Sequence, residues 1–134
     1  MIIAEQIYKV IRNSLVSLGV TAYSDYIPDE ASYPFCMYEI VNLANAPDWA
    51  FEKDYETLSV RFNVYCRKDN PLQGIEILED IETLFNRTKN TFVDTDDGKY
   101  LICNYKTDDS VTYLNEDTFW LSISDYEFIA QRNI

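Results

Sequence analysis

The acidic residues of the C-terminal half are the first side chains to test for chemistry. Asp94, Asp96 and Asp97 lie close together, and alternating carboxylates are ligands that Ca²⁺ accepts. An EF-hand loop needs acids at its first, third and fifth positions and a glutamate at its twelfth. Counted from Asp94, the fifth position is Gly98 and the twelfth is Tyr105. The calcium pattern fails, so we interpret the cluster as a solvated turn and expect no metal and no cofactor.

The residue types that usually carry catalysis are missing or isolated. The sequence has no histidine, which removes the commonest general base and the commonest metal ligand together. Cys36, Cys66 and Cys103 are far apart in apolar segments, so we expect buried free thiols rather than nucleophiles. No phosphate-binding glycine loop or dinucleotide fingerprint occurs. We therefore expect a protein that is not an enzyme. The enzymatic alternative would act through Asp94 or Asp96.

Length and charge limit the class of protein. The chain has 134 residues, of which 47% are hydrophobic, and this suits a single domain spanning 1–134. Its formal net charge of −12 opposes binding to DNA phosphates or to an anionic membrane. No apolar run approaches the roughly 20 residues of a membrane-spanning helix, and the N-terminus lacks the basic region of a signal peptide. We expect a protein made in a reducing cytoplasm.

The stretch from Tyr55 to Phe85 gives the clearest structural signal. Its first part alternates, with one face apolar: Leu58, Val60, Phe62, Val64 and Cys66. This period of two predicts a strand with one buried face. After Pro71 the apolar residues recur at helical spacing: Ile75, Leu78, Ile81, Leu84 and Phe85. A strand beside an amphipathic helix predicts a scaffold.

The remaining elements complete an α+β fold. A helix is predicted from Ile3 to Leu18, with Gly19 as its C-terminal stop. Further strands are predicted at Val20–Ile27, Phe35–Val41, Tyr100–Lys106, Val111–Leu114 and Thr118–Gln131. We therefore predict a mixed or mainly antiparallel sheet of about five to six strands flanked by two α-helices.

Three regions call for a specific interpretation. Leu43 to Lys53 is either a protruding β-hairpin arm with its tip at 46–48 or a floppy loop, and the arm is favoured because aromatic residues in it need cover. Asn86 to Lys99 is polar and irregular, and it ends in a tight turn at 96–98. The last strand changes phase after Ile123, which predicts a β-bulge near Ser124 and Asp125.

Eleven tyrosines exceed what one small core can hold. Tyrosine and tryptophan are enriched where one protein meets another, because each brings a large rigid surface with a polar tip. The alternative is that tyrosine favours exposed sheet faces on its own. We predict a subunit or partner interface that draws on the following residues: Pro47, Trp49, Phe51, Tyr55, Tyr65, Tyr113 and Trp120.

The order of elements and several phrases resemble a known family. An N-terminal helix and a strand lead to the phrase at 27–35, IPDEASYPF, directly before a core strand. A protruding segment is followed by LSVRFNVYCR at 58–67, a helix, and paired strands that end in SDYEF at 124–128. This layout, over nearly the whole chain, is similar to that of the tail-completion or tail-terminator proteins of long-tailed bacteriophages and related minor tail proteins of prophages.

The resemblance implies a structural role in the virion. Such proteins assemble into a ring, commonly a hexamer, that caps the tail tube, stops its growth and joins the tail to the head connector. The implied partners are copies of this chain, the tail-tube protein and connector or neck proteins. DNA would cross an acidic lumen without specific binding. The alternatives are a head–tail neck ring, which shares similar small folds, and an acidic inhibitor that mimics nucleic acid.

Overall fold

A computed structural model describes the backbone of residues 2–45, 55–86, 88–95 and 98–133. It describes the side chains of residues 7–41, 57–86 and 106–129.

Both predicted helices are confirmed. Helix α1 spans Ile2–Ser17, and Gly19 ends it in the left-handed conformation, at φ 78°. The N–H of Gly19 donates to the carbonyl of Val16 at 2.9 Å, and that of Val20 donates to the carbonyl of Leu15 at 3.1 Å. This pair of hydrogen bonds is a Schellman motif, which uses the glycine because other residues are strained there. Helix α2 spans Pro71–Phe85, with proline in its first turn.

Seven strands form one open, mixed sheet. They are β1 Ala22–Ser24, β2 Phe35–Asn45, β3 Tyr55–Arg67, β4 Thr88–Thr95, β5 Gly98–Lys106, β6 Val111–Asn115 and β7 Phe119–Asn133. Their order is β1-β2-β3-β7-β5-β4, and β6 pairs with the first part of β7. Only the β1–β2 pairing is parallel among the described strand pairs. The α+β class predicted from the sequence is confirmed.

Both helices lie on the same face of the sheet, which we call the helix face. Tyr38 and Phe62 are register partners on β2 and β3, so their side chains share a face. The ring of Tyr8 in α1 lies 5.3 Å from Tyr38, and that of Phe85 in α2 lies 5.5 Å from Phe62. The apolar stripes of both helices are buried here against the even-numbered residues of β3. Each such side chain contributes about 1.5–3 kcal/mol through burial.

Helix α2 approaches the sheet closely at Gly74. A Cβ atom at this position would lie 2.7 Å from Ser122 Oγ and 3.1 Å from Cys66 Sγ. Glycine therefore allows the first turns of α2 to sit directly on β3 and β7. This contact fixes the height of the helix above the sheet.

The structure corrects two expectations about strands. The bulge predicted near Ser124 and Asp125 is wrong, because β3 and β7 pair without a register shift from Tyr55↔Gln131 to Arg67↔Phe119. The change of phase in β7 instead marks a change of environment along a regular strand. The irregular segment predicted at 86–99 contains β4, a strand that pairs with β5 up to Thr95↔Gly98. Its polar sequence gave no alternating apolar pattern.

The hairpin interpretation is supported on both sides of its tip. Strand β2 runs on to Asn45 and pairs with β3 up to Asn45↔Glu56, with a register irregularity between Ile40 and Asn42. The same part of β3 also pairs with β7, so the described base of the hairpin lies within the sheet. The predicted tip at 46–48 lies outside the described residues. The strand predicted at Val20–Ile27 is limited to the three residues of β1.

Candidate functional site

The face of the sheet opposite the helices, which we call the open face, carries a group of aromatic rings in contact with one another. We define this outer aromatic cluster as Tyr23, Tyr33, Phe35, Tyr65 and Phe119. Phe35 and Tyr65 stack with their centroids 4.8 Å apart and their planes at 13°. Tyr33 stacks on Phe35 at 5.6 Å, and Phe119 lies 5.2 Å from Tyr65. Aromatic pairs at such distances add about 0.5–1.5 kcal/mol each beyond the burial of area.

Strand register extends this cluster across four strands. Phe35 is the register partner of Tyr65, Tyr65 of Leu121, and Leu121 of Tyr113. Directly opposed residues share a face, so the row runs from β2 to β6 on the open face. Phe35 and Leu121 are only 4% and 7% exposed, whereas Tyr33 and Tyr113 are 40% and 42% exposed. A buried apolar base therefore supports accessible tyrosine rings.

A polar half lies farther along the same face. Arg61 of β3 and Asp125 of β7 are register partners. The Arg61 Nε donates to Asp125 Oδ1 at 2.8 Å and Nη2 donates to Oδ2 at 3.3 Å. The hydrogen bond to Asp125 raises the pKa of Arg61. Asn63, which is 5% exposed, donates from Nδ2 to the carbonyl of Met37 at 3.1 Å. These pairs hold the strands in register.

The structure brings two of the predicted interface residues together. Tyr65 and Tyr113 lie in the same row on the open face. Trp120 lies on the helix face, where its side chain packs against the core and its Nε1 donates to the carbonyl of Lys68 at 2.9 Å. Its ring serves the fold and is not part of the row. The side chain of Tyr55 and the whole of Pro47, Trp49 and Phe51 lie outside the described residues.

Four contributors to the cluster were not among the predicted interface residues: Tyr23, Tyr33, Phe35 and Phe119. Their signals are present in the sequence. Phe35 to Tyr38 is a continuous apolar run, which indicates a strand buried on both faces at its start. Phe119 begins the run whose phase opposes that of Tyr126. Apolar residues on the second face of a strand can be identified in this way.

The two described cysteines lie in the core and are not part of the open face. Cys36 and Cys66 are buried free thiols, and burial raises the pKa of Cys36 to about 12 and also raises that of Cys66. A thiol held protonated in this way is a poor nucleophile. Across the described side chains, no three His, Cys, Asp or Glu residues come together as a metal site. The side chains of Cys103 and Asp94, and all of Asp96 and Asp97, lie outside that part of the chain.

Neither helix, over the residues described, is long and apolar enough to cross a membrane. No protein-family model matches this sequence, and no curated protein matches it.

Proposed function

We propose that this chain is a structural subunit that assembles with copies of itself into a ring at the end of the tail tube of a long-tailed bacteriophage. The ring stops growth of the tube and joins the tail to the head connector. The observation that carries the proposal is the open face of the sheet, where the outer aromatic cluster forms an apolar contact surface away from both helices. The layout of the sequence, which resembles that of tail terminators, supplies the specific role.

The open face has the character of an interface. Tyr33 and Tyr113 present accessible rings above the buried Phe35 and Leu121. Ring contacts within the cluster already restrict its side chains. Docking of a partner on the cluster therefore costs little further side-chain entropy in this subunit. Tyrosine also keeps its phenol hydrated before docking, which limits the cost of exposing the face in a free subunit. This surface suits a subunit that exists first as a monomer and later as part of an assembly.

The charge of the chain fits a conduit for DNA. A ring of subunits that each carry a formal charge of −12 repels phosphates over distances comparable to the Debye length, about 8 Å at physiological salt. Nucleic acid would therefore pass the lumen without adhering. The same charge requires that contacts between subunits offset their mutual repulsion.

The test is the assembly state of the full chain, alone and with tail tubes polymerised from the tail-tube protein of the same phage. We expect closed rings by light scattering and electron microscopy, either free or on tube ends, and tubes that stop growing once capped. A strict monomer under both conditions, with tube growth unaffected, would refute the proposal. Rings that bind a head connector but leave tube ends open would assign the neck role instead.

A matched pair of variants tests the open face. Tyr113→Ser removes an accessible ring from the row, whereas Tyr26→Ser removes a ring that is 71% exposed outside the cluster. We expect Tyr113→Ser to weaken assembly or tube capping at least about tenfold and Tyr26→Ser to leave both unchanged. If Tyr113→Ser and Tyr26→Ser behave alike, the open face is not a contact surface of the assembly.

A further inference from the structure

The exposed side of α1 carries basic and aliphatic residues. Helix α1 contains two basic residues, Lys9 and Arg12, and one acidic residue, Glu5, although the chain as a whole has twice as many acids as bases. Lys9, Arg12 and Val16 are exposed, and Val16 is 63% accessible. Residues separated by three, four and seven positions lie on one side of a helix. These three residues therefore form a stripe along one side of α1, in which Arg12 lies at the edge, beside the cleft between α1 and β1 that Tyr23 and Ser24 also line.

The exposed side of α2 has the opposite character. This helix contains no basic residue. Leu72, Glu76 and Glu79 are exposed, and Leu72 is 65% accessible. They are also separated by three, four and seven positions, so they form a second outward stripe. Here the aliphatic residue lies at the N-terminal end and the charges follow it, whereas in α1 the charges precede the aliphatic residue.

The two stripes match when the helices run antiparallel. A rise of about 1.5 Å per residue puts charges about 6 and 10.5 Å from the aliphatic residue in both helices. Val16 then meets Leu72, Arg12 meets Glu76, and Lys9 meets Glu79. We propose that α1 of one copy of this chain docks antiparallel on α2 of the next copy through these three pairs. The inference rests on the proposed function in its premise that copies of the chain associate.

Such a contact has the properties that a ring requires. It joins two different surfaces of the subunit, and head-to-tail contacts of this kind generate rings when the rotation between copies closes. The contact places bases of one copy on acids of the next, which offsets locally the repulsion between two strongly acidic subunits. Burial of Val16 and Leu72 covers the two most accessible aliphatic side chains among the described residues.

Charge reversal tests the pairing of Arg12 with Glu76. We expect Arg12→Glu and Glu76→Arg each to raise the dissociation constant between copies about tenfold or more, because each brings like charges together. The double variant restores the opposite pairing and should return the constant to within about threefold of wild type. Glu30→Arg makes the same change in net charge as Glu76→Arg, at an exposed turn, and should not raise the dissociation constant. Analytical ultracentrifugation measures all four variants, with circular dichroism to confirm that each is folded.

A cross-link tests the pairing of the aliphatic residues independently. Val16→Cys and Leu72→Cys chains, oxidised separately, should form no link beyond the wild-type background, whereas their mixture should form linked dimers. The α1–α2 contact would be refuted if the single charge reversals assembled like wild type. It would also be refuted if the double variant associated more weakly than either single variant. Neither result would count against ring formation. Rescue by the double variant in a closed dimer would support the contact and refute the ring. A wild type that never associates would refute both.

Discussion

The closest approach of α2 to the sheet can be tested by adding one methyl group. Gly74→Ala places a Cβ 2.7 Å from Ser122 Oγ and 3.1 Å from Cys66 Sγ. Ser122 is 1% exposed, and its hydroxyl lies 2.9 Å from Thr112 Oγ1 in a hydrogen bond. Rotation of the Ser122 hydroxyl away from the methyl group would break this bond. The clash is therefore relieved either by loss of this hydrogen bond or by movement of α2, and both cost free energy.

The expected magnitude combines two opposing effects. Overpacking of a core costs about 1–3 kcal/mol. Replacing glycine by alanine inside a helix contributes about 1 kcal/mol in the stabilising direction. We expect a net loss of about 1 kcal/mol in the free energy of unfolding, which corresponds to a fall in Tm of roughly 3–5 °C for a chain of this size.

Urea denaturation of a double-mutant cycle separates the two effects. In a Ser122→Ala background the closest contact is absent, and Gly74→Ala should be close to neutral there. Gly19→Ala is the matched control, because it is strained by its φ of 78° and has no atom within 4 Å, so Ser122→Ala should not rescue it. Stabilisation by Gly74→Ala in the wild-type background would refute the close approach of α2.

Two further predictions concern a partly buried hydroxyl and a buried thiol. The Tyr8 hydroxyl accepts a hydrogen bond from the backbone N–H of Ile40 at 3.1 Å and donates to Asp25 Oδ1 at 2.6 Å. Tyr8→Phe should cost about 0.5–1.5 kcal/mol in denaturant unfolding, because it removes the partly buried hydrogen bond from the Ile40 N–H, whereas Tyr26→Phe should cost nothing measurable. Burial raises the pKa of Cys36 from 9.0 to about 12, so the thiol of the unfolded chain loses its proton first as the pH rises. The contribution of the buried Cys36 thiol to the free energy of unfolding is complete below pH 9. It declines between pH 9 and 12 by up to about 1.4 kcal/mol per pH unit. In urea titrations at several pH values, Cys36→Ala should make the free energy of unfolding depend less steeply on pH between 9 and 12. An unchanged dependence would show that the decline does not come from Cys36.

The elements with a single buried face could be predicted from the sequence. Alternation in β3 and the helical stripe of α2 report directly on one face each, and the structure places both as expected. Strand β7 could not be interpreted in this way, because Leu121 lies on the open face and Tyr126 on the helix face. Local periodicity assumes one environment along a strand. The first part of β7 buries apolar residues on the open face, and its later part buries them on the helix face. Such a strand violates the assumption although its backbone is regular.

The candidate interface depended on information that is not local. Tyr65 and Tyr113 are separated by 48 positions in the sequence. They come into one row because β3 and β6 both pair with β7, where each tyrosine is the register partner of Leu121. Tyrosine gives no indication of its own location, since Tyr126 is buried in the core and Tyr26 is exposed. The surplus of tyrosine in the composition therefore predicted that an aromatic surface exists. The register of the sheet was needed to decide where it lies.

The architecture gives the subunit two surfaces of different chemistry. The sheet separates a helical layer with charged, matched stripes from an open face with stacked aromatic rings. Because α1 and α2 share one face, a neighbour that docks through them leaves the aromatic face uncovered for another protein. Contacts within a ring and contacts along the tail axis can then form independently. If so, the charge reversals on the helices should impair ring closure, whereas Tyr113→Ser should impair capping of the tube by rings that still close.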